Sequence, residues 1–148
     1  MNLNRTITSS VYIVYSNKVL LHFHKKYNTL FPLSAKISEN EVPHETAIRE
    51  VFEEYGLKVE LYNRDSELNL GRVIQLHSPI HTLLENVGHE VENIDFIYFA
   101  RAISNEVKSQ EGESKELYWF TKEEIENHDD IKPHVKVMAL DALRILSE

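Results

Sequence analysis

The sequence predicts an α/β fold: an α/β/α sandwich around a central mixed sheet. Three observations carry this. A β-branched and aromatic hairpin pattern spans 9–24, a capped amphipathic helix follows at 43–55, and a short apolar strand at 116–120 precedes a second amphipathic helix from 133. Strands with one helix inserted after the first hairpin and one at the C terminus are what two helical layers covering a sheet require. At 148 residues and 42% hydrophobic content the chain is expected to form one domain, long enough to bury roughly two-thirds of its unfolded surface.

Ser9 to Tyr15 is apolar on both faces and reads as a central strand. Ser16-Asn17-Lys18 makes a turn, and Val19 to His24 alternates with Val19, Leu21 and Phe23 on one face and Leu20, His22 and His24 on the other. The two histidines share a face but have no third ligand and no thiolate partner, so they read as polar-face residues rather than a metal site. Lys25 to Asn40 shows no period and reads as a loop.

Pro43 suits a first helical position and Gly56 the left-handed residue after a helix end, so the helix runs from Pro43 to about Tyr55. Ala47, Ile48, Val51, Phe52 and Tyr55 fall on one side and are expected to face the core. Glu50, Glu53 and Glu54 fall on the other, where neighbours at three and four residues repel by a few tenths of a kcal/mol per pair. A hard divalent cation, Mg²⁺ or Mn²⁺, would offset that repulsion; a solvated acidic face is the alternative. Arg49 stands one turn from Glu45 and Glu53 and can hold a carboxylate in place.

Lys58 to Tyr62 reads as a short strand, Asn63 to Leu70 as a loop or edge, and Gly71 to His81 as containing a strand that stops near Pro79. That proline argues against a helix bearing His77 and His81 as a metal pair. Asn86 to Asn93 reads as an acidic loop before a strand at Ile94 to Ile103, and the polar stretch from Asn105 to Ser114 as a mobile segment. Glu116 to Phe120 is the last strand; Trp119 within it reads as core rather than as a base-stacking platform. Thr121 with Glu124 gives a capping box for a short helix. Val135, Met138, Ala139, Ala142, Leu143 and Leu146 then recur at three and four, marking a helix that packs on the sheet.

A formal charge of −8 argues against nucleic acid backbones and anionic membranes as partners. There is no apolar run of membrane-spanning length, no signal-peptide pattern after Met1 and no cysteine, which makes a cytoplasmic protein the expectation. Oligomeric state is not fixed by these features, and a homodimer stays open.

The spacing of Glu41 and the run Arg49-Glu50-Val51-Phe52-Glu53-Glu54-Tyr55-Gly56-Leu57 resembles the Nudix box, G-x5-E-x7-R-E-U-x-E-E-x-G-U with U bulky and aliphatic. Every specified position from Glu41 onward is matched, while the opening glycine is replaced by Ala35 and its usual glycine neighbour by Ser34. The resemblance covers essentially the whole chain. It implies a Nudix-type sandwich and a metal-dependent pyrophosphohydrolase acting on a small nucleotide substrate, with water attacking phosphorus. It also implies Glu50, Glu53 and Glu54 as metal ligands, one of them or a loop carboxylate (Glu90 or Glu92) as general base, and the Ser34 backbone carbonyl as a further ligand. Glu41 and Arg49 would position loop and helix, and Lys36 would touch phosphate. If the turn at 35 needs a positive φ, alanine there costs on the order of 1–2 kcal/mol and slows the enzyme. The alternative is a catalytically weakened Nudix-fold protein that binds nucleotides or regulates without turnover.

Overall fold

The computed structural model describes residues 4–24, 27–65, 68–107 and 116–148. In it the strands are β1 (Asn4–Tyr15), β2 (Lys18–His24), β3 (Thr29–Phe31), β4 (Leu33–Lys36), β5 (Val59–Leu61), β6 (His81–Gly88), β7 (Val91–Ala102) and β8 (Glu116–Phe120). The helices are α1 (Pro43–Tyr55), α2 (Lys122–Asn127) and α3 (Pro133–Leu146).

All eight strands join one mixed sheet. Its spine is the parallel pair of β1 and β7, in register from Asn4 with Val91 to Val14 with Arg101. The remaining pairings are antiparallel: β1 takes β2 and β4, β2 takes β3 and β8, and β7 takes β5 and β6. Side chains alternate across a strand, so β1 feeds two cores. Tyr12 and Val14 point with Val19, Leu21, Ile97 and Phe99 into the layer covered by α3. Val11 and Ile13 point with Leu20 and Leu33 to the other layer, where α1 lays down Ala47, Val51 and Tyr55. Both helices are therefore held by apolar burial on opposite faces, which is the expected sandwich. All six periodic residues of α3 are buried, and among the described residues no helix is long and apolar enough to cross a membrane.

Four expectations need correction. The segment 25–40 is not a continuous loop: it contains β3 and β4, strands too short to show a period and formed because β2 and β1 offer them edges. The strand expected before Pro79 begins after it, at His81, and the acidic stretch from Asn86 is the hairpin between β6 and β7. His89 and Glu90, at φ of 50° and 61°, take the left-handed turn that glycine ordinarily supplies. On α1 the buried stripe is narrower than the apolar pattern, because Ile48 and Phe52 are 38% and 54% exposed. Of the polar stretch expected to be mobile, residues 108–114 lie outside the described residues.

Candidate active site

The start of α1 is fixed by three contacts. Pro43 occupies the first turn, the Glu45 carboxylate accepts from the Val42 N–H at 3.3 Å, and Ser9 Oγ donates to the Pro43 carbonyl at 2.9 Å, tying the helix to β1. Val42 has no side-chain acceptor, so only half a capping box forms. At the other end Gly56, at φ 69°, donates its N–H to the Phe52 carbonyl at 2.9 Å.

On this helix Arg49 organises the carboxylates. Its Nε and Nη2 donate to the two Glu41 oxygens at 2.8 and 3.0 Å, a bidentate pairing. Nη1 lies 2.8 Å from Glu53 and 3.1 Å from Glu50, and Nη2 also reaches Ser38 Oγ at 2.9 Å. Thr46 Oγ1 adds a 3.0 Å bond to Glu41. The Arg49 bond is the main reason that the Glu41 carboxyl is held below the usual carboxylate range, and the same bond raises Arg49 above the usual guanidinium value. Glu41 is thereby kept ionised as the anchor of the loop before the helix. Part of the repulsion along the acidic face is offset by the arginine itself. Glu54 follows on the same helix.

Among the described residues, no three His, Asp or Glu side chains are gathered as they stand into a metal-holding group; Glu50 and Glu53 are drawn to the guanidinium. The donor chemistry nevertheless fits a hard divalent cation, being carboxylate oxygens without thiolate. The backbone around Ser34 is set by the sheet. Ile37 N–H donates to the Ile7 carbonyl at 3.1 Å, which sets the phase of the β1–β4 ladder. Ser9 and Ala35 then face each other as a hydrogen-bonded pair and Ser10 and Ser34 as an unbonded one. The Ser34 carbonyl is turned away from β1.

Ala35 lies in extended backbone within β4 and is not among the residues with positive φ. The strain expected of alanine there is absent, because position 35 is inside a strand and not at a turn. Lys36 is exposed on the same strand, in register with Thr8. Glu90 and Glu92 are not brought to the Arg49 cluster by any described contact. Glu92 instead pairs with Arg5 at 3.0 Å, and Arg5 lies five residues, roughly 16 Å, from Ser10 along β1.

The histidines are accounted for otherwise. His22 is buried with Nδ1 2.7 Å from Tyr55 Oη, joining β2 to α1. His77 stacks on His44 with centroids 4.4 Å apart, and His81 Nε2 meets Asp141 at 2.7 Å. Trp119 packs at the edge of the α1-side core against Tyr15.

Sequence inspection passes over one polar seam. Asp95, half-buried on β7, accepts from Thr8 Oγ1 at 2.9 Å and from Ser10 Oγ at 2.9 and 2.8 Å, and Ser10 also reaches Ser34 Oγ at 3.0 Å. Burial raises the Asp95 carboxyl above its usual value, the Ser10 and Thr8 bonds oppose this, Glu85 adds repulsion and His134 attraction. A lone acid within N-I-D-F-I-Y, opposite the hydroxyls of T-S-S, was the available signal.

A family profile described as NUDIX domain matches residues 5–140. The chain is similar over 97% of its length to 99% of the chain in a crystal structure of a hydrolase of the NUDIX family from Clostridium perfringens, at 44% identity and a TM-score of 0.86. It resembles in fold the MutT protein from Methanosarcina mazei Go1, at 14% identity and a TM-score of 0.71 over 100% of this chain and 99% of that one. The MutT NUDIX hydrolase from Burkholderia pseudomallei is similar at 19% identity and a TM-score of 0.65, over 97% and 99%. No curated protein matches the sequence. With its sandwich, its Arg49-centred carboxylate helix and a profile match over nearly all its length, the chain belongs to the NUDIX hydrolase family.

Proposed function

We propose that this protein is a divalent-metal-dependent hydrolase of a pyrophosphate bond in a nucleoside diphosphate derivative or another small nucleotide. The observation that carries this is the Arg49 clamp, which binds Glu41 through two bonds and presents Glu50 and Glu53 from one helix. Glu50, Glu53 and Glu54, with the Ser34 carbonyl, would hold Mg²⁺ or Mn²⁺. When bound, such an ion neutralises charge on the phosphate oxygens and lowers the pKa of water. Within the chain, Arg49 and Glu41 fix the approach loop, and one box glutamate takes the proton from the attacking water as a P–O bond breaks. Lys36, exposed on β4 next to Ser34, supplies a positive charge for phosphate.

The binding-only alternative rested on the altered turn at 34–35. Ala35 is not at positive φ, which removes that ground for it. The test is hydrolysis of ADP-ribose, dinucleotide polyphosphates, sugar nucleotides and (deoxy)nucleoside triphosphates with Mg²⁺ and Mn²⁺. Turnover of at least one substrate is expected, and Glu53→Gln should lower it by orders of magnitude with an unchanged far-UV spectrum. A Glu53→Gln rate within a few-fold of wild type on the best substrate would refute the ligand role.

A further inference from the structure

We infer, on the reading of the site proposed above, that Asp95 and Ser10 are positioning residues. Acting through the Ser34 hydroxyl, they fix the backbone carbonyl that would serve as a metal ligand.

β4 pairs with β1 alone, over four residues. Backbone bonds in an antiparallel pair come at alternate rows. The bond from the Ile37 N–H to the Ile7 carbonyl puts the next bonded row at Ser9 and Ala35, and leaves the rows of Thr8 with Lys36 and of Ser10 with Ser34 unbonded. The peptide joining Ser34 to Ala35 is therefore held to β1 through its N–H, at the Ala35 end. One bond leaves that plane able to swing about it. Opposed side chains come closest at unbonded rows, and there Ser34 Oγ lies 3.0 Å from Ser10 Oγ, a second attachment on the carbonyl side of the peptide.

The hydrogens of this seam run one way. A carboxylate only accepts, and the two oxygens of Asp95 take Thr8 Oγ1 at 2.9 Å and Ser10 Oγ at 2.9 and 2.8 Å. The single Ser10 proton is thereby committed to Asp95, so Ser10 Oγ is an acceptor toward Ser34 and the Ser34 hydroxyl donates. Thr8 and Ser10 are buried, and both belong to the parallel β1 and β7 pair that forms the spine of the sheet. The relay ties a four-residue strand to that spine. Ser10 shares its face with Tyr12 in the core under α3, while α1 packs on the opposite face. The sheet thus separates Asp95 and Ser10 from the box glutamates, and they can act on a bound ion only through the Ser34 backbone. The glycine usual at this place in the Nudix motif has no hydroxyl, so the attachment belongs to this sequence.

Side chains that orient metal ligands are worth roughly 10- to 100-fold in metal affinity, and one hydroxyl bond stands at the lower end. Titration of the substrate-free protein with Mn²⁺, followed by the paramagnetic resonance of the free ion, tests this without turnover. Ser34 is exposed, so Ser34→Ala removes the hydroxyl and keeps both carbonyl and packing; it should raise the Mn²⁺ Kd about tenfold, and Ser10→Ala likewise. Both cut one relay, so the double variant should bind no more weakly than either single one. Ser34→Thr restores the hydroxyl in a residue suited to a strand and should return Kd to within about twofold of wild type. Asp95→Ala, which takes the acceptor from Ser10, should also weaken binding, whereas Asp95→Asn, which keeps an acceptor oxygen there, should not. In the metal-free protein the Ala35 amide should exchange faster in Ser34→Ala than in wild type or Ser34→Thr. An unchanged Kd in Ser34→Ala, with binding abolished by Glu53→Gln, would overturn the relay and leave the metal-site reading standing. Equal losses in Ser34→Ala and Ser34→Thr, or in Asp95→Ala and Asp95→Asn, would overturn it too, since bulk or charge would then be the cause. No Mn²⁺ binding in wild type, or binding indifferent to Glu53→Gln, would overturn the metal-site reading itself and this inference with it.

Discussion

Ala35 and Asp95 show how much a single position depends on the backbone around it. Family resemblance put a glycine-requiring turn at 35, but the chain runs straight through it as β4. Glycine in a strand interior loses more conformational freedom than alanine, by roughly 0.5–1 kcal/mol. Ala35→Gly should therefore lower stability by about that amount in urea titration and leave kcat within a few-fold of wild type; a clear rise in kcat would mean that the alanine does hold the loop off its working path. Asp95 gives a pH prediction. Its folded pKa is raised, with burial the first cause, so its contribution to stability is fully present below the unfolded value near about 4 and is lost as pH rises through the folded pKa. Asparagine in its place can still meet Thr8 and Ser10 without a charge to bury. Asp95→Asn should thus gain Tm relative to wild type as pH goes from acid to neutral, and a Tm difference that is flat with pH would exclude the burial effect.

At the scale of elements, what could be read in advance was what repeats. α1 and β8 have the bounds expected for them, and α3 begins at Pro133 as expected, because a proline start, a capped end or a run of apolar residues at fixed intervals is local information. The box is local too, so Glu41, Arg49, Glu50, Glu53 and Glu54 could be named before any coordinates. β3 and β4 could not, since three or four residues carry no period and are strands only by virtue of β2 and β1. The β6–β7 hairpin hid behind His89 and Glu90, which adopt positive φ without a glycine at either place. Ile48 and Phe52 obey the helical period yet remain exposed, while the stripe of α1 that is buried is Ala47, Val51 and Tyr55. The Asp95 seam joins three strands, and no window of sequence contains it.

For the whole molecule, the balance of charge and stability links the candidate site to folding. The chain carries −8, and α1 adds a row of glutamates, of which Glu50 and Glu53 meet Arg49. An ion that binds the native site and not the unfolded chain stabilises by mass action, about 2.7 kcal/mol at a hundredfold excess over Kd. Mg²⁺ or Mn²⁺ should therefore raise Tm progressively with concentration. Ordinary screening of a charged surface also stabilises, but it follows ionic strength and is shared by NaCl. Two comparisons separate them. NaCl at matched ionic strength should reproduce only a minor part of the rise, and Glu53→Gln or Glu54→Gln should remove the rest while changing the metal-free stability by no more than a few tenths of a kcal/mol, since each deletes a like-charge repulsion and Glu53→Gln also gives up the exposed Arg49 ion pair. The thermal melt followed by far-UV circular dichroism reads all of this without any substrate. Equal metal-induced shifts in wild type and both variants would show that the acidic face of α1 is solvated surface, and the ligand assignment would fall with it.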